Sequence, residues 1–220
     1  MLAVQVVVSH RPHIPSVSFF KGVVDLKTSF AAWRSRLRFP AAVVFTTIAL
    51  AGLYAGYLQL SGNFHTVIAG ELYRSAQPSS EQLADYVKAH GIKTVINLRG
   101  QNDNASWYVQ EREEAARLGL QHIDFRMSAS KILSPAQADE LVAIMRSAPK
   151  PILVHCLSGA DRTGLVSVIY SQKVAGIDEE VAERQLSFYY GHLGIPYLSS
   201  AYAMDRSWQD LETHFGLREG

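Results

Sequence analysis

Cysteine is almost absent: Cys156 is the only one in 220 residues. A single thiol excludes an intramolecular disulfide framework and any zinc site built from several cysteines. The eight histidines are scattered, with no H-x-x-x-H or other compact ligand pattern, so no metal site is expected. Charge is missing from one long stretch, since no Asp, Glu, Lys or Arg lies between Arg38 and Glu71. Apolar residues are not scarce. At 48% hydrophobic content the chain can bury a core, which excludes disorder over most of its length.

The net charge of +1 hides an asymmetry. Residues 1–38 carry Arg11, Lys21, Lys27, Arg34, Arg36 and Arg38 against Asp25 alone. This reads as a basic tail on a domain of another kind, not as a nucleic-acid binder. Inside the uncharged gap, Pro40 to Leu60 (PAAVVFTTIALAGLYAGYLQL) is apolar on every face, where an amphipathic helix would show a polar stripe. About 20 such residues cross a bilayer core, and Tyr54 and Tyr57 suit an interface. A retained single-pass membrane helix over residues 39–60 is therefore expected. The alternatives are a buried core helix and a cleavable signal peptide, and the latter lacks a clear A-x-A site. Arg34, Arg36 and Arg38 would keep the N-terminus cytoplasmic and place residues 61–220 outside the cytosol, across the inner membrane if the source is bacterial. The expected organisation is a basic tail (1–38), a transmembrane helix (39–60), a linker (61–66) and a folded domain (67–220).

Within that domain strand-like and helix-like runs alternate. TVIAGELY (66–73), KTVINL (93–98), LQHIDFRM (120–127) and PILVH (151–155) read as strands. Helices are expected over 79–91, 107–119, about 134–147, 162–176, 178–190 and 199–214. Ser79 with Gln82, and Ser134 with Gln137, have the capping-box spacing. The alternation implies an α/β fold around a mostly parallel sheet flanked by helices. In such sheets the reactive crevice lies beyond the carboxyl ends of the strands.

HCLSGADRTG (155–164) occupies that position, between the central strand and the next helix. A turn at a helix N-terminus can aim successive backbone N–H groups at an anion. Gly159 permits a tight bend, and Arg162 offers a fork matched to two phosphoryl oxygens. The same dipoles favour a thiolate at Cys156, so one loop holds a nucleophile and an anion cradle.

The stretch resembles the signature of the cysteine-dependent protein tyrosine and dual-specificity phosphatases: His-Cys, five residues, Arg, then Ser or Thr. His155, Cys156, Arg162 and Thr163 match it, Gly159 falls at the family's glycine, and GELYRSAQP (70–78) is a start common in bacterial and fungal members. The resemblance covers about residues 64–220 and makes the folded domain a phosphatase domain. Rhodanese-like sulfurtransferases are the rival, though their loops seldom end in Arg-Thr-Gly. The resemblance implies that Cys156 attacks phosphorus. Arg162 and the loop positions Leu157, Ser158, Gly159 and Ala160 would hold the phosphoryl oxygens, and Thr163 would help the sulfur leave. His155 would orient the loop. It implies no metal or organic cofactor.

The family's usual acid is an aspartate from a separate loop, and the corresponding MSASKILSP (127–135) has no carboxylate. Asp161 is the expected acid and Asp124 the alternative. Arg99 is expected to reach substrate or to form a salt bridge, and Arg74 to brace the amino-terminal segment. None of the variable loop positions is basic, which favours a monoester over an inositol polyphosphate. The substrate expected is a phosphorylated protein or a phospholipid headgroup near the membrane. The alternative is a non-catalytic phosphate-binding module recruiting partners to the membrane.

Overall fold

A computed structural model describes residues 26–217; the basic tail before residue 26 lies outside the described residues. The chain divides between Ala49 and Leu50 into two compact units. The first helix, α1 (Leu26–Leu60), begins well before the expected boundary and carries Pro40 inside it. Its stretch Ala42–Leu60 is 19 residues long with a mean hydropathy of 1.6, and only 6% of it is buried. By length and composition it can cross a bilayer, and its exposure does not fit the buried-core alternative.

The second unit is built on a five-stranded sheet in the order β1-β2-β5-β3-β4. The strands are β1 (His65–Ile68), β2 (Leu72–Ser75), β3 (Thr94–Asn97), β4 (Gln121–Asp124) and β5 (Ile152–His155). β2, β5, β3 and β4 run parallel, while β1 pairs antiparallel with β2, so the sheet is mixed. The expected single strand 66–73 is thus a hairpin. Gly70 turns through φ 77°, and the Glu71 N–H donates to the Ile68 carbonyl at 3.1 Å. Glycine takes that left-handed backbone without a Cβ penalty.

Every residue of β5 is buried, with Ile152 and Val154 facing one core cluster and Leu153 the other. That is the period-2 alternation of a strand covered on both faces. The helices α4 (Pro135–Ser147), α5 (Asp161–Ile169) and α7 (Tyr202–His214) pack on the first face; α2 (Ser80–His90) and α3 (Ser106–Arg117) cover the second. Both expected capping boxes form, Ser79 with Gln82 and Ser134 with Gln137.

Three other expectations need correction. The expected linker 61–66 packs into the folded unit: Asn63 is buried, and Phe64 stacks on Tyr73, Tyr86 and His90. The helix expected over 162–176 ends as α at Ile169 and continues as one π turn, Tyr170–Val174, where the Ala175 N–H reaches back to the Tyr170 carbonyl. The helix expected over 178–190 is short, α6 (Glu179–Glu183), followed by a 3-10 turn at Phe188–Tyr190. Past α6 the Gln185 carbonyl accepts from Arg74 Nη1 at 2.5 Å instead of continuing a helical ladder.

Register positions the site. Ser75 pairs with His155, His155 with Asn97, and Asn97 with Asp124. These residues end their strands in one row, so Gln77, Cys156, Arg99 and Arg126 all follow at the same edge.

Candidate active site

Cys156 opens the loop from β5 to α5 and is a buried free thiol, 1% exposed. The loop's carbonyls explain its shape. Leu157 O accepts from the Gln77 N–H at 3.2 Å, and Ser158 O from Asn63 Nδ2 at 2.9 Å. Gly159 O and Ala160 O accept from Arg74 Nη2 at 2.8 and 3.3 Å. Four successive carbonyls are therefore held outward. No hydrogen bond among the described residues uses the N–H groups of Leu157, Ser158 or Gly159. A run of N–H groups without a protein acceptor at a helix N-terminus is an anion site.

Two residues enforce that geometry. Gly159 has φ 72°, and a Cβ there would lie 2.6 Å from the Ala76 nitrogen and 2.7 Å from the Ser75 carbonyl carbon. Arg74 is fully buried, with its guanidinium 3.8 Å over the Tyr190 ring. Burial pulls its pKa down to about 10, which leaves it cationic at neutral pH. Arg74 thus braces the nucleophile loop, not the amino-terminal segment alone.

Arg162 sits in the first turn of α5. Its Nη1 lies 3.3 Å from the Leu98 carbonyl and 3.5 Å from that of Met127, while its buried Nε has no partner among the described residues. The neighbouring Thr163 Oγ1 is also buried without one. His155 is fully buried and faces α3. Its Nε2 is 3.1 Å from Glu111 Oε2 in α3, and its Nδ1 lies 3.5 Å from the Cys156 carbonyl.

Glu111 anchors a buried polar chain. Gln77 Nε2 donates to its Oε2, His122 Nε2 is 2.7 Å from its Oε1, and Arg99 Nη1 donates to Gln77 Oε1 at 2.9 Å. Burial alone would raise the Glu111 pKa, but His155, His122 and Gln77 together bring it down to about 2. Sequence reasoning missed this carboxylate. The available signal was its spacing, since Tyr108, Glu111 and Ala115 share the buried face of α3, and a glutamate on an apolar stripe needs a partner.

The two candidate acids have different surroundings. Asp124 accepts from Tyr108 Oη at 2.5 Å and Asn97 Nδ2 at 2.8 Å; neither it nor Asp161 lines the cleft described below. Asp161, in the first turn of α5, has its Oδ1 2.8 Å from His192 Nδ1; His192 Nε2 lies 3.0 Å from Asp205 Oδ2. Burial would lower the His192 pKa, but the two aspartates outweigh it and raise the value. His192 was not legible, because it comes from a distant segment with no motif.

Beside the loop opens a cleft of about 650 Å³ whose lining includes Arg99, Arg126, Lys131, Arg162 and Ser200, with no carboxylate. Burial, then the Arg162 charge, lowers the Arg99 pKa; both guanidinium-bearing residues line this cleft. The loop positions lack basic residues, but the cleft does not. Besides Arg162 of α5, its cations come from just past β3 and β4 and from the segment after them.

Comparison with known proteins agrees with this geometry. The sequence model of the family described as DSP-PTPase phosphatase fused to NAD+ kinase matches residues 62–192. The dual specificity protein phosphatase TpbA of Pseudomonas aeruginosa is 32% identical over 115 residues, 52% of this chain and 49% of the relative. The chain thus spans about half the length of the curated relatives it matches. The crystal structure of P. aeruginosa TpbA superposes with a TM-score of 0.53 at 22% identity, covering 68% of this chain and 85% of that one. PTPMT1 superposes at 0.51 with 12% identity, covering 70% and 99%. At these identities the likeness is one of fold.

Proposed function

The chain belongs to the DSP-PTPase family of cysteine-dependent phosphatases, and from that premise we propose that it hydrolyses phosphomonoesters through a phosphocysteine intermediate. The Cys156 thiolate attacks phosphorus. An S–P bond forms as the ester P–O bond breaks. The N–H groups of Leu157, Ser158 and Gly159 and the Arg162 fork hold the equatorial oxygens, where transition-state charge is spread. Asp161 gives its proton to the leaving oxygen, and its contact with His192 lets the pair hold one transferable proton. Water then attacks phosphorus, Asp161 takes the water proton, and the S–P bond breaks to release phosphate. Thr163 Oγ1, buried and without a partner among the described residues, steadies the departing sulfur. His155 positions the loop and takes no proton.

The observation that carries this reading is the outward capture of four consecutive loop carbonyls around a cysteine that precedes an arginine. The substrate proposed is a phosphotyrosine-type or lipid-headgroup phosphate near a membrane, with α1 as a retained single-pass anchor and the catalytic domain outside the cytosol. The cationic cleft supports a strongly anionic substrate. The same fold occurs in PTPMT1, which has been crystallised with PI(5)P. Assay of the full chain with an aryl phosphate tests the activity: Cys156→Ser should abolish turnover, and Arg162→Lys should lower it about 10²–10³-fold. Equal rates for wild type and Cys156→Ser would refute the assignment. Phosphate binding without turnover in either would point to a recruiting module.

A further inference from the structure

From Gln185 to Met204 there is no Asp, Glu, Lys or Arg. Phe188, Tyr189, Leu193, Ile195, Tyr197 and Leu198 in this stretch are exposed, Leu198 to 84%. Single exposed apolar side chains are ordinary, but six in eleven successive positions form a patch that marks an interaction surface. One of them is held out at a conformational cost. The Leu198 N–H donates to the Ile195 carbonyl at 3.2 Å across Pro196 and Tyr197, and Tyr197 has φ 64°. This is the pattern of a type II turn, whose third position ordinarily takes glycine or asparagine.

The stretch packs on the last turns of α1. Tyr54 Oη donates to the Tyr189 carbonyl at 2.5 Å, the Tyr54 ring stacks on Phe188 at 5.7 Å, and Leu58 is buried close to Gly191. On those same turns Leu53, Tyr57 and Leu60 stay exposed. The stretch is also tied to the catalytic loop. Asn63 Nδ2 donates to both the Ser158 and Tyr190 carbonyls at 2.9 Å, and His192 contacts Asp161. Just past the patch, Ser200 lines the cationic cleft.

We propose that residues 188–198 are a membrane-interface element that seats in the headgroup region of an anionic bilayer beside α1 and holds the cleft at headgroup level. The inference rests on the proposed reading of Ala42–Leu60 as a retained span. Whatever packs on Tyr54 and Leu58 of such a helix lies at bilayer depth. Tyrosine and phenylalanine are suited to that zone. The cations missing from the stretch reappear in the cleft, where they complement anionic headgroups.

The test places the full chain in phosphatidylcholine–phosphatidylglycerol vesicles. In a Cys156→Ser background, an environment-sensitive dye is attached at Phe45→Cys, Leu198→Cys or Glu113→Cys, and brominated lipids are added as quenchers. The dyes at 45 and 198 should be quenched and the dye at 113 should not. Quenching at 45 but not at 198 would leave the anchor standing and overturn the interface element, as a protein occupant would. No quenching at 45 would overturn the anchor and the element together. This depth measurement needs no catalysis, so it does not depend on the proposed reaction. In the active chain, Tyr197→Asp/Leu198→Asp should lower turnover of a vesicle-inserted acyl-aryl phosphate about tenfold and leave a soluble aryl phosphate within twofold. Equal losses on both substrates would also contradict the proposal.

Discussion

Glu111 decides what the nucleophile strand looks like from behind. It is buried, accepts from or faces Gln77, His122 and His155, and has its pKa brought down to about 2. A folded-state value below the unfolded one stabilises the protein fully above about pH 4.5 and progressively less as pH falls toward 2. Glu111→Ala removes the acceptor of Gln77 and the carboxylate that faces His155, and should cost on the order of 3 kcal/mol by urea denaturation at pH 7. The loss should shrink as the pH is lowered through that window; a constant loss would show that the carboxylate charge is not what matters. His192 has the opposite sign. Its pKa is raised above 6.5, so its contribution is complete below pH 6.5 and fades as pH rises through the folded value. Turnover of substrates with poor leaving groups should therefore fall on an alkaline limb above pH 6.5, which His192→Gln should displace. A limb that does not move would detach His192 from Asp161's proton.

Among the elements, the β5–α5 loop is the one whose geometry admits least change. Gly159→Ala would drive a Cβ into the Ser75–Ala76 backbone at a backbone angle that alanine rarely adopts, so the loop must open. The expected outcome is a loss of activity at least as large as that of Arg162→Lys, with the fold retained by circular dichroism; near-normal activity would show that the loop does not need this shape. This loop was legible because its chemistry is contiguous in sequence: Cys156, Gly159, Arg162 and Thr163 lie within eight residues. The helix starts were legible for the same reason, since Ser79 with Gln82 and Ser134 with Gln137 are local patterns. What brings distant segments together was not legible. Arg74 bonds Gly159 and Ala160, Asn63 bonds Ser158, and Arg126 and Lys131 join Arg162, contacts that exist only once the strand order is known. The hairpin at Gly70 was missed because an apolar run reads the same whether or not it turns. The break after Glu183 was missed because the partner of the Gln185 carbonyl, Arg74, lies far away in the chain.

For the whole molecule, the parallel register gathers the ends of β2, β5, β3 and β4 on one edge, and four separate segments supply the cleft. The apolar helix and the uncharged 185–204 stretch then give that edge a setting near lipid under the proposed reading. The proposed activity depends on sulfur attacking phosphorus. The most direct measurement is to mix the full chain with an aryl phosphate, quench in acid within a turnover, and locate the phosphoryl group by mass spectrometry of proteolytic peptides. The adduct should sit on the Cys156 sulfur and be absent from Cys156→Ser. Continued turnover with no adduct at Cys156, or an adduct on another residue that survives in Cys156→Ser, would contradict the mechanism.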